Sequence, residues 1–341
     1  MTYVPVERRY FGVDFRRCGN SGLMLPPISL GTWQNFGGVN EFETCRAIVR
    51  RAFDRGVTHF DVANMYGPPN GSAEETVGRI LRADFHGLRN ELIISSKAGY
   101  EMWPGPYGVG ASKKYIVASL EGTLKRLGLE YVDIFYAHRP WPEVPMEETM
   151  GALAQVVKQG KALYVGVSSF STERTRKAYD MLQREGVRLT IHQPSYSMLN
   201  RHIESGLLDS LGELGVGCIG FSALAQGLLT DKYLGSQTLT GRAKEKGTFK
   251  KEFLSEENLR NVRSLAAIAK KRGQSLAQMA IAWVLRDSRV TSALIGARSV
   301  AQLEDSLDAV KNLAFSQAEL EEIDQFARDG GIDLWREISS L

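Results

Sequence analysis

Asp61, Tyr66, Lys97 and His138 are the residues of this chain whose types and placement point most directly to chemistry. Each falls where a short apolar run gives way to a loop. Asp61 and Tyr66 sit in Gly56-Val-Thr-His-Phe-Asp-Val-Ala-Asn-Met-Tyr-Gly67, Lys97 closes Leu92-Ile-Ile-Ser-Ser-Lys97, and His138 closes Val132-Asp-Ile-Phe-Tyr-Ala-His138. In a parallel barrel the catalytic groups come from the carboxyl ends of several strands, so four such residues would share one cavity. A free phenol, with a pKa of about 10, is a poor proton donor at neutral pH. A neighbouring Lys97 ammonium would favour the phenolate and lower that value, while Asp61 would keep the ammonium charged and oriented. Neutral His138 would hydrogen-bond a substrate carbonyl oxygen. Such a set suits protonation of the oxyanion formed as a carbonyl is reduced, and the reductant has to come from another part of the site.

The elements that must position these residues follow from periodicity. Short apolar runs at Ile28–Gly31, His59–Asp61, Leu92–Lys97, Val132–His138, Ala162–Ser168, Leu189–Gln193, Gly217–Ser222 and Thr291–Ile295 read as strands. Between the first two, Cys45, Ile48, Val49, Ala52 and Phe53 form the apolar stripe of a helix, with Asn40 and Glu43 as a capping-box signal and Gly56 as a C′ residue. Similar helices are expected near 73–82, 112–127, 146–159, 171–184, 203–213, 258–271, 275–286, 299–312 and 316–328. Alternation of this kind argues for right-handed βαβ units and an α/β fold, a (β/α)8 TIM barrel spanning residues 1–341 as a single domain. A hairpin at 10–26, around Asn20-Ser-Gly, is expected to lid one end. A long insertion after strand 7, residues 230–256, is expected at the mouth as a flap, and residues 313–341 form a C-terminal helix and tail.

Composition narrows the ligand class. Against 42 Lys and Arg stand 39 Asp and Glu, and no run of like charge supplies a polybasic footprint, so neither nucleic acid nor a membrane surface is an expected partner. Cys18, Cys45 and Cys218 are widely separated and lie outside any CxxC spacing, which argues against a disulfide framework and fits a reduced, cytoplasmic compartment. The N-terminus lacks an apolar signal core, and no stretch approaches the ~18 apolar residues of a membrane span. No metal is expected, because His59, His86, His138, His192 and His202 show no ligand spacing. Gly215-Val-Gly-Cys-Ile-Gly220 matches GxGxxG, but it leads from a helical segment into a strand, so it reads as a tight turn and not as a pyrophosphate cradle.

The chain resembles the aldo-keto reductase superfamily. The resemblance is carried by Asp61-x-Ala-x-x-Tyr66-Gly, Gly71-Ser-Ala-Glu-Glu, Ile94-Ser-Ser-Lys97, Tyr136-Ala-His138, Tyr164-Val-Gly-Val-Ser168, Gln193-Pro-Ser-Tyr196 and Phe221-Ser-Ala-Leu-Ala-Gln-Gly-Leu-Leu229, and it covers roughly residues 12–330. Ala98-Gly-Tyr-Glu-Met-Trp-Pro-Gly-Pro-Tyr107 and Asp133-Ile-Phe-Tyr-Ala-His-Arg139 bring it nearest the branch of potassium-channel β subunits and bacterial L-glyceraldehyde-3-phosphate reductases. The resemblance implies a barrel that binds NADPH (NADP+) without a Rossmann domain, with Tyr66 as general acid and Asp61, Lys97 and His138 as its partners. It implies that Ser168, Ser169 and Gln193 hold the nicotinamide carboxamide and that Phe221 stacks on the ring. Ser222, Leu224, Gln226 and Lys232 match the segment around the pyrophosphate, and Gly296 through Ser306, including Arg298 and Gln302, match the segment holding the adenosine phosphate. Trp33 and Asp61 complete the implied cofactor set. Three positions depart from the pattern: Ala223 stands where proline is common, Arg298 where close relatives place serine, and Ser306 where asparagine is favoured. Arg298 is a candidate cation for a 2′-phosphate, which favours NADPH over NADH.

For the substrate, Trp33, Trp103 and Tyr107 on strand-end loops are candidate walls, and Arg139 beside His138 is a candidate for an anionic group. Together with Tyr66 and His138, these residues suggest reduction of small aldehydes, among them L-glyceraldehyde 3-phosphate and methylglyoxal, the latter a detoxification. Homo-oligomers are expected in this branch. The rival reading is a nucleotide-sensing accessory subunit resembling potassium-channel β subunits, against which stands the lack of a long N-terminal inactivating extension.

Overall fold

Alternation within short strands decides which side chains fill the interior and which face the helices. The computed structural model describes residues 3–234, 249–335 and 338. A two-stranded antiparallel ribbon, β1 (Arg16–Arg17) with β2 (Met24–Leu25), precedes the barrel. The barrel strands are β3 (Ile28–Gly31), β4 (His59–Asp61), β5 (Ile93–Ala98), β6 (Val132–Ala137), β7 (Ala162–Ser168), β8 (Leu189–Gln193), β9 (Gly217–Phe221) and β10 (Val290–Ile295). They pair in parallel in chain order, and β10 closes the ring against β3. This is the (β/α)8 architecture that the sequence predicts.

Outward residues such as Ile28, Leu30, Phe60, Ile94, Phe135, Val165 and Val167 pack into a continuous apolar layer beneath the helices. Inward residues Ile134, Tyr136, Ile191, Ile219 and Leu294 form a second cluster together with Cys18, Leu23 and Leu25 from the N-terminal ribbon. The ribbon therefore plugs the barrel at the end opposite the strand carboxyl termini. Its tight seat bears on two of the glycines in the 215–220 run, Gly215 and Gly217, which face Asn20 and Cys18 of the ribbon. Gly215 ends a helix in the left-handed region (φ 64°), and a Cβ on Gly217 would overlap Cys18 Sγ. Gly217→Ala is therefore expected to cost about 1–3 kcal/mol of stability, read as a lower denaturation midpoint, because both groups are backed by packed structure.

The helices are α1 (Phe42–Asp54), α2 (Ser72–Asp84), α3 (Lys113–Leu127), α4 (Met146–Lys158), α5 (Thr172–Arg184), α6 (Leu207–Leu214), α7 (Glu256–Lys271), α8 (Leu276–Val284), α9 (Val300–Leu307) and α10 (Gln317–Asp324). Boundaries depart from the sequence expectation where local geometry intervenes. The segment expected as one helix over 203–213 is a 3-10 turn, His202–Glu204, then α6, separated by Gly206 at φ 105°. The helix expected at 299–312 tightens into a 3-10 turn after Leu307, and that expected at 316–328 stops at Asp324. Asn40 is not the cap of α1: Glu41 holds that position, with no side-chain cap bond, and Asn40 Nδ2 instead donates to the Arg298 carbonyl at 3.4 Å.

Between β9 and β10, the described parts of the insertion are joined by a ring stack of Tyr233 on Phe249 (5.9 Å, 17°), with Phe253 edge-on to Phe249. Residues 235–248 of the expected flap lie outside the described residues, as do 336–337 and 339–341 of the tail. Among the described residues no helix is long and apolar enough to cross a membrane.

Candidate active site

Asp61 ends β4, and Lys97 lies inside β5, one residue before its end at Ala98. His138 directly follows β6, and Tyr66 lies on the loop after β4. In β5 the period of two sends Ser95 and Lys97 to one face and Ser96 to the other, where Ser96 Oγ donates to the buried Glu74 at 2.6 Å. Lys97 and Asp61 are both fully buried and form an ion pair through Nζ and Oδ2. The ammonium also donates to the Val62 carbonyl at 2.8 Å. Asp61 Oδ1 accepts from Ser95 Oγ at 2.7 Å and from Gln193 Nε2 at 3.2 Å, so both carboxylate oxygens are held. Lys97 Nζ lies 5.0 Å from the centre of the Tyr66 ring, and the His138 ring is edge-on to Tyr66 at 5.8 Å. The four residues thus meet at the carboxyl end of the barrel.

Burial dominates the electrostatics. It pushes the Lys97 pKa down, and the Asp61 carboxylate opposes that shift. The Tyr66 phenol is pushed well above 10 by burial, and then by the negative charge of Asp61. This corrects the expectation that Lys97 lowers the phenol's pKa: the ammonium is already paired, and the ground state favours the protonated phenol. His138 is pushed well below its ordinary range by burial, then by Lys97 and Arg139, and so stays neutral. Burial likewise takes His59 down to about 4 and His192 to about 3. Unfolded histidine titrates at about 6.5, so below that pH the unfolded chain binds protons that the folded chain refuses. Stability is therefore expected to fall as pH drops from about 6.5 toward 4, by up to about 1.4 kcal/mol per pH unit for each such histidine. Thermal melts across that range check this, and a flat profile would refute it.

A cavity of about 600 Å³ opens from Tyr66 and His138 across the carboxyl end of the barrel. Every residue that the sequence singles out for cofactor lines it: Trp33, Asp61, Ser168, Ser169, Gln193, Phe221, Ser222, Leu224, Gln226, Lys232, Gly296, Arg298, Gln302 and Ser306. The donor set is mixed. Beside Asp61 stand the amide of Gln193 and the hydroxyls of Ser168 and Ser169, with Gln193 Nε2 donating to Asp61 and Ser168 Oγ donating to the Gln193 carbonyl at 2.8 Å. The same lining includes the cations Lys232 and Arg298 and the carboxylates Asp231 and Asp305, with the N-terminus of α9, capped by Ser299, following Arg298 in the chain. Neutral amide and hydroxyl groups together with two cations and a helix N-terminus suit a ligand that carries both an amide and phosphate. Asn35 also lines the cavity, and its buried Oδ1 is an acceptor without a protein partner. Ser169, Ser222, Ala225 and Gln226 hold left-handed backbone (φ 50–59°), so the lining loops carry local strain in non-glycine residues. Among the described residues no group of three or more His, Cys, Asp or Glu is placed to hold a metal ion.

The expected substrate walls divide. Trp33 lines the cavity, whereas Trp103, Tyr107 and Arg139 do not. Trp103 packs on Tyr115 (5.4 Å) and Tyr107 is half exposed. The Arg139 guanidinium lies over Tyr100 (4.6 Å) and Trp141 (4.4 Å), and of these three residues only Tyr100 lines the cavity. Sequence reasoning missed Tyr100, Met65 and Trp335 as lining residues. Tyr100 packs edge-on to His138 at 4.7 Å, and Trp335 is edge-on to Phe221 at 4.7 Å and 6.4 Å from Trp33. Tyr100 follows β5 by two residues, a signal available from the strand-end rule; Trp335 comes from the distant tail and had none.

Residues 27–328 match the model of the aldo/keto reductase family. An Escherichia coli (strain K12) protein described as L-glyceraldehyde 3-phosphate reductase is 55% identical over 341 residues, covering 98% of this chain and 99% of that protein. Proteins from Oryza sativa subsp. japonica and Arabidopsis thaliana, each described as a probable voltage-gated potassium channel subunit beta, are 34% identical, covering 87% of this chain and 91% of their own length.

Proposed function

The chain belongs to the aldo/keto reductase family and is an oxidoreductase, and from that premise we propose that it reduces small aldehydes with NADPH, using Tyr66 as general acid. L-Glyceraldehyde 3-phosphate is the foremost substrate on this reading and methylglyoxal a second. The observation that carries it is one cavity lined by Tyr66 and His138 and also by Lys232 and Arg298, with Asp61 of the buried Lys97–Asp61 pair in its wall.

Bound NADPH supplies the hydride. Ser168, Ser169 and Gln193 are the residues to hold its carboxamide, Phe221 its nicotinamide face, and Lys232 and Arg298 its phosphates. The chain's own part is proton delivery and orientation. Tyr66 keeps its proton in the ground state and gives it to the carbonyl oxygen as negative charge builds there. Lys97, beside the ring, stabilises the charge left on the phenol oxygen, and Asp61 fixes the ammonium. Neutral His138 orients the carbonyl through its ring nitrogen, with its Nδ1 buried and unpartnered inside the protein. Tyr100 and Trp335 wall the substrate end. The buried, unpaired thiols of Cys18, Cys45 and Cys218 support placing the activity in the cytoplasm. The reading extends to a homo-oligomer, which light scattering on the eluted protein tests.

NADPH oxidation with L-glyceraldehyde 3-phosphate, methylglyoxal and nitrobenzaldehyde, repeated with NADH, tests the reading. Multiple turnover is expected, fastest with the phosphorylated aldehyde. Tight cofactor retention without turnover would instead favour an accessory subunit that senses nucleotide. Arg298→Ala is expected to raise the KM for NADPH about tenfold or more with little change for NADH, since a charge-assisted phosphate contact contributes roughly 1.5–3 kcal/mol. Equal effects on both cofactors would remove Arg298 from 2′-phosphate recognition.

A further inference from the structure

A line of buried polar groups crosses the barrel interior beneath the site. Ser292 Oγ and Ser29 Oγ are 2.7 Å apart, Ser29 Oγ is 2.9 Å from His59 Nδ1, His59 Nε2 is 2.8 Å from Ser95 Oγ, and Ser95 Oγ is 2.7 Å from Asp61 Oδ1. All five residues are fully buried and come from four successive strands around the closed ring, β10, β3, β4 and β5.

The chemistry of these groups fixes the direction of every proton. Asp61, paired with Lys97, is an ionised carboxylate and only accepts, so Ser95 spends its one hydroxyl proton on Oδ1. Ser95 must then accept from His59, which places the imidazole proton on Nε2. Nδ1 is left as an acceptor, so Ser29 donates to it and accepts in turn from Ser292. Four aligned hydrogen bonds run toward one carboxylate and polarise each other in the same sense.

We infer that His59 is a positioning residue for the reaction, locked as the neutral Nε2–H tautomer so that Ser292, Ser29 and Ser95 hold Asp61 as the anion that keeps Lys97 charged beneath Tyr66. The inference rests on the reading of Tyr66 as general acid. A neutral His59 at working pH agrees with the effect of its burial. Loss of the line makes the Asp61–Lys97 ion pair less favourable relative to the uncharged pair, so the ammonium is lost at lower pH. Reduction needs that ammonium, and its alkaline limb moves down with it.

His59→Phe removes both hydrogen-bonding groups, whereas His59→Gln keeps one donor and one acceptor. In the full-length protein, His59→Phe is expected to lower kcat on the order of tenfold with little change in KM. It is also expected to move the alkaline limb of kcat down by about one pH unit, a tenfold change in the pair's proton affinity. His59→Gln is expected to restore most of the limb. Long-range 15N NMR on the wild-type protein reads the tautomer without any turnover: a protonated Nε2 and bare Nδ1 support the inference, and the opposite tautomer overturns it. A folded His59→Phe variant with the wild-type limb also overturns it. Tyr66→Phe run alongside separates the two readings, because full activity in that variant would refute the general acid while the tautomer would still decide the direction of the line. For a variant that fails to fold, Ser95→Ala takes its place with the same expected shift.

Discussion

Tyr66→Phe is expected to lower kcat for aldehyde reduction by about 10²–10⁴-fold, the range that a positioned general acid contributes, with KM and cofactor affinity close to wild type. Phenylalanine keeps the ring that Lys97 approaches at 5.0 Å and that His138 meets edge-on, so packing survives and only the proton donor is lost. The effect belongs in kcat because the proton moves only as the oxyanion forms. Steady-state NADPH oxidation by the purified variant, with melting temperature as a control, reads it. A variant within threefold of wild type would assign the proton to another group.

Lys97→Met is expected to remove activity on a similar scale and, unlike Tyr66→Phe, to destabilise the fold by about 3–5 kcal/mol, because it leaves the buried Asp61 carboxylate without its counter-charge. Ser95 and Gln193 still hold Oδ1, but neither is charged. Adding Asp61→Asn to Lys97→Met is expected to recover much of the stability and none of the activity, since a neutral amide costs far less to bury than an ion. Urea unfolding of both singles and the double closes the cycle. A Lys97→Met protein as stable as wild type would mean that the carboxylate takes up a proton without penalty.

The parts of this molecule legible in the sequence are those governed by local period and local chemistry. Eight apolar runs predicted eight barrel strands, and the strand-end rule brought Asp61, Tyr66, Lys97 and His138 to one place. The rule worked because a parallel barrel turns position along each strand into height in a shared cavity. What escaped was set by packing between distant segments. Trp335 reaches Phe221 from more than a hundred residues away, and Arg139 is held on the two aromatic faces of Tyr100 and Trp141. The polar line under Asp61 was within reach: counting back two residues from Asp61 gives His59, and from Lys97 gives Ser95, on the same inward faces. The capping signal at Asn40 failed for a different reason, because the side chain is used across the barrel mouth by the Arg298 backbone. The phenol's proton affinity failed because the sequence shows which charges are near but not that burial outweighs them.

The most direct measurement follows a deuterium label from NADPH to product. With the label on one or the other face of the nicotinamide, Phe221, Ser168, Ser169 and Gln193, in the roles proposed for them, are expected to present a single face to the carbonyl next to Tyr66. The alcohol formed from L-glyceraldehyde 3-phosphate should then carry deuterium at the former carbonyl carbon from one labelled cofactor and none from the other. Deuterium from both in equal measure, or from neither, would contradict a hydride-transfer centre at Tyr66.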